Sequence, residues 1–426
     1  MAMQICPAAV SGTVRAPASK SDAHRALLAG ALSVRGTAAH CTVSGIGEWS
    51  QDLLATRGAL PALGVQTVVR GDTVGLFSAA CPPSPVIDCG ESGTTLRLLL
   101  PVLAACGVTA TLTGRGRLPQ RPLQVYAACL PPHGVTWRYA GAQQLPLQIG
   151  GRLHGGSFEI PGDVSSQFVS GLLLALPLCA AGGTIRLTTP EQSAGYADMT
   201  LQTLRAAGIR AQRTPEGFEV CPGAYTLSSY TVEGDWSQAA FLLAAGALGG
   251  RVTVQGLRTD SCQRDARIVP LLRAFGADVM EGPQGISAVR APLRAIDVDA
   301  ADIPDLVPVL AVLAGAAEGT TRIMHAGRLR LKESDRLAAA AANLRRLGVP
   351  VREGEDFLEI TGVDRFRPAR LDGFGDHRMV MSAAVAALYA AGPVTVTDPE
   401  SVNKSWPSFF ETYQRIGGNC HVVDDR

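Results

Sequence analysis

Cationic and hydroxyl side chains stand at particular points of an otherwise apolar chain. Lys20 and Arg25 lie in Pro17-Ala18-Ser19-Lys20-Ser21-Asp22-Ala23-His24-Arg25, and Arg121 lies in Leu118-Pro119-Gln120-Arg121-Pro122. Ser193 and Tyr196 follow Glu191-Gln192, a charged run occupies 328–336, and His377, Arg378 and Lys404 come near the end. Most of them stand at the mouth of an Ala/Leu-rich run preceded by serine, aspartate or proline, the pattern that opens a helix. The free N–H groups of a helix start hold an anion, and a nearby arginine grips a carboxylate or phosphate with its planar fork. The chemistry within reach is recognition of small, multiply charged anions.

Each residue also has a plain structural use. Lys20 or Arg378 alone is a solvated charge, and Ser165-Ser166-Gln167 is a helix cap. The run 328–336 is a helix start with a capping box, and Asp305 after Ile303-Pro304 is a partner for a helix dipole. Recurrence is what sets them apart. Helix mouths of one kind return near Ser21, Gly93, Ser166, Ser237, Asp305 and His377, about 70 residues apart, which marks one supersecondary unit repeated six times.

Within a repeat, a second helix stops at a glycine (Gly64, Gly134, Gly208, Gly276, Gly348 and Gly417). Between the two helices a glycine introduces a β-like run, as at Gly107, Gly183, Gly250, Gly319 and Gly392. The first helix is apolar all round and so is expected inside. The second, with Arg205, Arg273, Arg345 or Arg346, keeps a solvated face. The sixth unit is short, and residues 1–18, with a strand expected at 10–14, would complete it. A chain of 426 residues exceeds one ordinary core. The repeats therefore divide three and three: an inserted domain over 19–233, and a discontinuous domain of 1–18 plus 234–426. Crossings near 18–19 and 233–234 predict a hinge beneath a cleft that closes over an anionic ligand.

Net charge is +1 with 18% charged residues, which supplies no global field for nucleic acid or an anionic membrane. Ten cysteines, scattered singly without CxxC pairs, read as buried thiols of a reducing compartment, hence the cytoplasm. The start of the chain has no signal-peptide pattern, and apolar stretches such as 171–182 fall short of the roughly 20 residues that span a bilayer. A soluble protein is expected.

The ordered set of motifs resembles the 5-enolpyruvylshikimate-3-phosphate synthase family (3-phosphoshikimate 1-carboxyvinyltransferases). The resemblance runs along Lys20-Ser21 to Arg25, Glu91-Ser92-Gly93-Thr94, Arg121-Pro122, Gly162-Asp163-Val164-Ser165-Ser166-Gln167, Ser193 to Tyr196 and Ile303-Pro304-Asp305. It continues through Leu331-Lys332-Glu333-Ser334-Asp335-Arg336, Asp376-His377-Arg378-Met379 and Lys404. It implies an α/β fold, a two-domain inside-out α/β barrel of six βαβαββ units, with the active site in the interdomain cleft. It implies transfer of the enolpyruvyl group of phosphoenolpyruvate to the 5-hydroxyl of shikimate 3-phosphate, with release of phosphate, in the route to aromatic amino acids. Neither metal nor organic cofactor is implied, and the expected working form is a monomer whose partners are its small-molecule substrates.

By the same resemblance, shikimate 3-phosphate is held by Lys20, Ser21, Arg25, Ser165, Ser166, Gln167, Ser193, Asp305 and Lys332. Phosphoenolpyruvate is held by Lys20, Gly93, Arg121, Gln167, Arg336, Arg378 and Lys404, with Gly93 leaving room for the ligand to approach backbone. Asp305 is the expected base for the hydroxyl. Glu333 is the expected acid for the methylene carbon, its proton favoured by nearby phosphates, and Lys20 stabilises charge or shares the proton.

Glu91, Leu98 and Arg328 depart from residues common in the family, which leaves open the response to glyphosate, its familiar inhibitor. Two other readings are a transferase acting on UDP-N-acetylglucosamine and a catalytically silent binder of phosphorylated metabolites. The first usually carries a cysteine or aspartate in the loop before its Arg-Pro, and 114–120 has neither. The second would be expected to lose Asp305 or Glu333, and both are present.

Overall fold

A computed structural model describes residues 1–36 and 38–424; Thr37, in the expected 19–233 domain, and Asp425 and Arg426, at the end of the expected 234–426 segment, lie outside the described residues. The chain forms two compact units, Ala18–Glu233 and Met1–Pro17 with Gly234–Arg426, each with its own apolar core.

In the unit Ala18–Glu233 the helices are α1 (Lys20–Gly36), α2 (Gln51–Ala59), α3 (Gly93–Ala105), α4 (Gln124–Cys129), α5 (Ser166–Ala175) and α6 (Ala194–Ala206). Those that open the repeats, α1, α3 and α5, are buried along most of their length. Their Ala/Leu content leaves no face to solvate, and packing inside the unit is what makes such sequences stable as helices. Serines set their starts: Ser92 Oγ accepts from Thr95 N at 3.1 Å and Ser165 Oγ from Gln167 N at 3.4 Å, each such cap being worth about 1 kcal/mol.

The other unit carries α7 (Trp236–Gly249), α8 (Ile268–Phe275), α9 (Val307–Gly315), α10 (Arg336–Arg346), α11 (His377–Ala387) and α12 (Phe409–Arg415). Here α7, α9 and α11 are buried throughout. Aspartates do the capping: Asp235, Asp335 and Asp376 accept from Gln238 N, Ala338 N and Arg378 N.

Six four-stranded sheets share one topology among the described residues. In the sheet built around α3, Val86–Asp88 runs parallel to Ala110–Thr113, which pairs antiparallel with Leu147–Gly151, and that strand closes a hairpin with Val135–Tyr139. The chain order is strand, buried helix, strand, outer helix and two more strands, a βαβαββ unit. The six glycines expected after the outer helices all have positive φ, between 71° at Gly64 and 99° at Gly276, a conformation that L side chains rarely adopt.

The N-terminal segment completes the last unit as expected, but with a different strand. Ala2–Cys6 enters the last sheet, between Val394–Thr397 and Asn419–Val423. The strand expected at 10–14, observed as Val10–Arg15, instead pairs parallel with Gly250–Gln255 and completes the fourth unit. The first unit is completed from far along the chain by Ser229–Thr231, parallel to His40–Ser44. Val10–Arg15 takes beside Gly250–Gln255, the strand after α7, the place that Val86–Asp88 takes beside Ala110–Thr113, the strand after α3. No helix of the described residues is long and apolar enough to cross a membrane.

Candidate active site

The expected site residues fall into two sets, one in each unit. In the unit that holds α7 to α12 they gather around Arg336, the first residue of α10, whose side chain is 1% exposed. Its Nε donates to Asp376 Oδ2 at 2.7 Å and its Nη2 to Asp376 Oδ1 at 3.2 Å, a two-pronged pair. Nη1 reaches Asp305 Oδ1 at 2.9 Å, and Nη2 lies 2.9 Å from Glu333 Oε2. Burial opposes the Arg336 charge, but three carboxylates outweigh it and raise the guanidinium above its ordinary value. Burial also works against the charge of Asp376, and Arg336 outweighs it, so that this carboxyl is held below the usual range.

Asp305 sits in a short 3₁₀ turn, Pro304–Leu306, that leads into α9. Its second oxygen is 3.2 Å from Arg378 Nη2, its carbonyl accepts from Arg378 Nη1 at 3.1 Å, and Lys332 Nζ stands 3.5 Å from Oδ1. One carboxylate therefore faces two guanidiniums and an ammonium. Desolvation lowers the Lys332 ammonium, opposed by Asp305 and reinforced by Arg336 and Arg328. Arg378 Nη2 also donates to Ser237 Oγ at 2.9 Å, and Ser237 donates to Asp235 Oδ1 at 2.6 Å. Lys404 closes a 3₁₀ turn and donates to the Gly375 carbonyl at 2.8 Å, next to the start of α11.

In the unit Ala18–Glu233, Lys20 opens α1 and pairs with Asp52 Oδ2 of α2 at 2.8 Å. Arg25 is 2% exposed and committed inward. It donates from Nε to Thr200 Oγ1 at 2.8 Å, from Nη2 to Ser170 Oγ and to the Tyr196 carbonyl, both at 3.0 Å, and from Nη1 to the Ser21 carbonyl at 2.6 Å. It ties α1 to α5 and α6, the helices whose mouths carry Ser165, Ser166 and Ser193. Burial pushes its guanidinium down to about 10, so it stays charged at neutral pH. Ser193 precedes α6 in the left-handed region, with φ 58°, a conformation uncommon outside glycine and one that clusters at functional sites.

Gly93 is the first residue of α3. A Cβ built there would lie 2.7 Å from Arg121 Nη1 and 2.8 Å from its Cζ. The Arg121 guanidinium takes the space expected for a ligand. Gln167 does not stand open either: its Oε1 accepts from Arg97 Nη1 and its Nε2 donates to Thr94 Oγ1, both at 2.8 Å.

Four further residues belong with these. Arg97 carries Gln167 and also holds the Pro122 carbonyl at 2.9 Å, beside Arg121; its sign in the sequence is a lone charge inside an apolar run. Asp235 and Asp376 follow a glycine at equivalent points of the repeat, a signal present in the sequence. Asp52 gives none, since it becomes a partner of Lys20 only when α2 packs on α1.

The family model described as "EPSP synthase (3-phosphoshikimate 1-carboxyvinyltransferase)" matches residues 6–413. Proteins named 3-phosphoshikimate 1-carboxyvinyltransferase from Halobacterium salinarum and Clostridium novyi are 43% and 35% identical to this chain. The alignments cover 97% and 99% of it and 98% of each relative. Among solved structures, EPSP synthase from Acinetobacter baumannii superposes with a TM-score of 0.83 at 26% identity, covering 100% of both chains. The enolpyruvyl transferase NikO from Streptomyces tendae superposes with a TM-score of 0.78 at 18% identity, over 99% of this chain and 98% of its own, which speaks for the fold alone. With the repeat architecture and the paired arginines and carboxylates already in place, these matches establish that the chain belongs to the EPSP synthase (3-phosphoshikimate 1-carboxyvinyltransferase) family.

Proposed function

We propose that this chain joins phosphoenolpyruvate to the 5-hydroxyl of shikimate 3-phosphate and releases phosphate, and that the residues described above carry the reaction. The observation that supports this most is the cluster in which Asp305 meets Arg336, Arg378 and Lys332 with Glu333 alongside. It combines anion-binding cations with two carboxyl groups, and the reaction needs both.

Arg336, Arg378, Lys404 and Arg121 bind the phosphate and carboxylate of phosphoenolpyruvate, with Lys20, Gly93 and Gln167 beside them. Ser165, Ser166, Ser193 and Lys332 take the phosphate of the second substrate, and Lys20, Ser21, Arg25, Gln167 and Asp305 its ring side. The incoming anions compete with Asp305 and Glu333 for the guanidiniums. Binding therefore releases the two carboxyl groups from their ion pairs at the moment they are needed.

Asp305 takes the proton of the 5-hydroxyl as its oxygen bonds to C2 of phosphoenolpyruvate, and Glu333 gives a proton to the C3 methylene. The Arg336–Glu333 pair favours a charged carboxyl, so bound phosphate has to supply the field that keeps Glu333 protonated. In the second step the methyl group returns a proton to Glu333, the C2–O bond to phosphate breaks, and the departing phosphate takes up the proton held by Asp305. Lys20 offsets the charge of the adduct.

The ten thiols, all free in the structure, fit a reducing compartment, and we place the protein in the cytoplasm as a monomer. The decisive assay follows phosphate release from phosphoenolpyruvate with shikimate 3-phosphate, with UDP-N-acetylglucosamine as a parallel acceptor. Release with the first acceptor alone is expected. Release only with the nucleotide sugar, or binding without turnover, would overturn the assignment.

A further inference from the structure

Lys20 and His24 are one helical turn apart on α1, and Asp52 and Thr56 are one turn apart on α2. Residues four apart lie on one face of a helix, so the two faces meet as a ladder of two rungs. The outer rung is the ion pair Lys20 Nζ–Asp52 Oδ2 at 2.8 Å, with side chains 16% and 13% exposed. The inner rung is His24 Nδ1 with Thr56 Oγ1 at 2.7 Å, and it is fully buried. Thr56 Oγ1 is in turn 2.7 Å from Thr95 Oγ1 on α3. Thr95 Oγ1 contacts the Asp52 carbonyl at 3.3 Å and Ser92 Oγ, the α3 cap, at 2.8 Å.

The directions of these bonds can be assigned. Thr95 has one proton to give; donated to Ser92 Oγ or to the Asp52 carbonyl, it leaves Thr95 to accept from Thr56. With that proton spent on Thr95, Thr56 accepts from His24. The ring is then the Nδ1–H tautomer, with Nε2 unprotonated and without a partner among the described residues. Burial first, then the charges of Lys20 and Arg25, hold this imidazole well below its ordinary value. It works as a fixed neutral donor.

We propose that His24 is a positioning residue: through Thr56 and Thr95 it fixes the Lys20–Asp52 pair and the mouth of α3 at Gly93, so that Lys20 and Arg121 meet phosphoenolpyruvate in one geometry. The chain of side chains touches no substrate. It locks three helix starts against one another with neutral hydrogen bonds, which salt does not screen, behind a charged pair that ligand anions can disturb. The inference rests on the transfer reaction proposed above.

The test compares steady-state kinetics and thermal melting of the full chain with those of His24→Asn, His24→Gln, His24→Leu, Thr56→Ser and Thr56→Val. An asparagine amide reaches the position of Nδ1, whereas a glutamine amide reaches that of Nε2. Asn and Ser are therefore expected to keep kcat/KM for phosphoenolpyruvate within about threefold of the parent, and Gln, Leu and Val to lose about tenfold or more, mainly through KM. The KM for shikimate 3-phosphate should move less than that for phosphoenolpyruvate. Leu or Val variants with parental kinetics would overturn the inference. So would losses that follow the melting temperature across all five variants, or failure of Asn and Ser to rescue, because either means a purely structural role. An inactive parent chain would overturn the reaction itself, and this inference with it.

Discussion

Asp305 and Arg336 meet at 2.9 Å, and the same guanidinium grips Asp376 at 2.7 Å on its other edge. The two carboxylates differ in kind. Asp376 is fully buried, caps α11 through Arg378 N, and takes a further bond from Ser334 Oγ at 2.9 Å, so it is part of the frame. Asp305 is partly open, and it also pairs with Lys332 and Arg378. Arg336 is thus anchored on one side and exchangeable on the other.

Arg336→Lys keeps a charge but loses the fork, and a lysine cannot serve Asp376 and Asp305 together. The variant should lose at least 100-fold in kcat/KM for phosphoenolpyruvate. The buried Asp376, left with a poorer partner, should also lower stability, by up to about 3–5 kcal/mol if the pair is lost altogether. Steady-state kinetics and urea unfolding would check the two effects separately. Unchanged stability would mean that Asp376 does not depend on Arg336.

Asp305→Asn preserves shape and removes the proposed base. Turnover should fall by roughly 10²–10⁴ while phosphoenolpyruvate binding weakens little or even strengthens, because a competitor for Arg336 and Arg378 has gone. Single-turnover kinetics with a direct binding measurement separates the effects. A loss confined to binding would remove Asp305 from the base role.

These assignments also mark what a linear chain discloses. The repeat, the capping serines and aspartates and the C′ glycines are local, so Ser165, Asp235 and Gly276 could be read from their neighbours. Strand pairing across long separations is not local. Nothing near residue 10 says that its strand pairs with Gly250–Gln255 rather than joining the last sheet. The same holds for function: Lys20 and Arg336 announce themselves as cations at helix mouths. Asp52 and the Thr56–Thr95 contact exist only because α1, α2 and α3 pack together. Gly93 was legible as a close approach, but not what approaches it.

That approach gives a prediction of its own. In Gly93→Ala the new methyl meets the end of a flexible side chain, so α3 should form as before and the Arg121 guanidinium should shift. The KM for phosphoenolpyruvate is expected to rise about tenfold or more, with melting within a few degrees of the parent and the KM for shikimate 3-phosphate nearly unchanged. Equal weakening of both substrates would show that the displacement spreads beyond Arg121.

A pH effect on stability is expected at Asp22, which stands between Ser21 and Arg25 on α1. This carboxyl is 3% exposed, accepts from Tyr230 Oη at 2.7 Å and from Glu233 N at 3.1 Å, and is pushed up to about 6 by burial, which outweighs those two bonds. In the unfolded chain it returns to the ordinary carboxyl value of 3.8. Between these values the folded state binds the extra proton, so stability falls as pH rises. The contribution is fully present below about pH 4 and lost through pH 6, amounting to about 3 kcal/mol over the window. Asp22→Asn cannot titrate. Its urea-unfolding free energy, subtracted from that of the parent at each pH from 4 to 7.5, should leave a difference that declines with pH and levels off above 7. A difference that is flat, or that grows with pH, would mean that Asp22 is ionised in the folded protein throughout and that Tyr230 and Glu233 hold it as a charge.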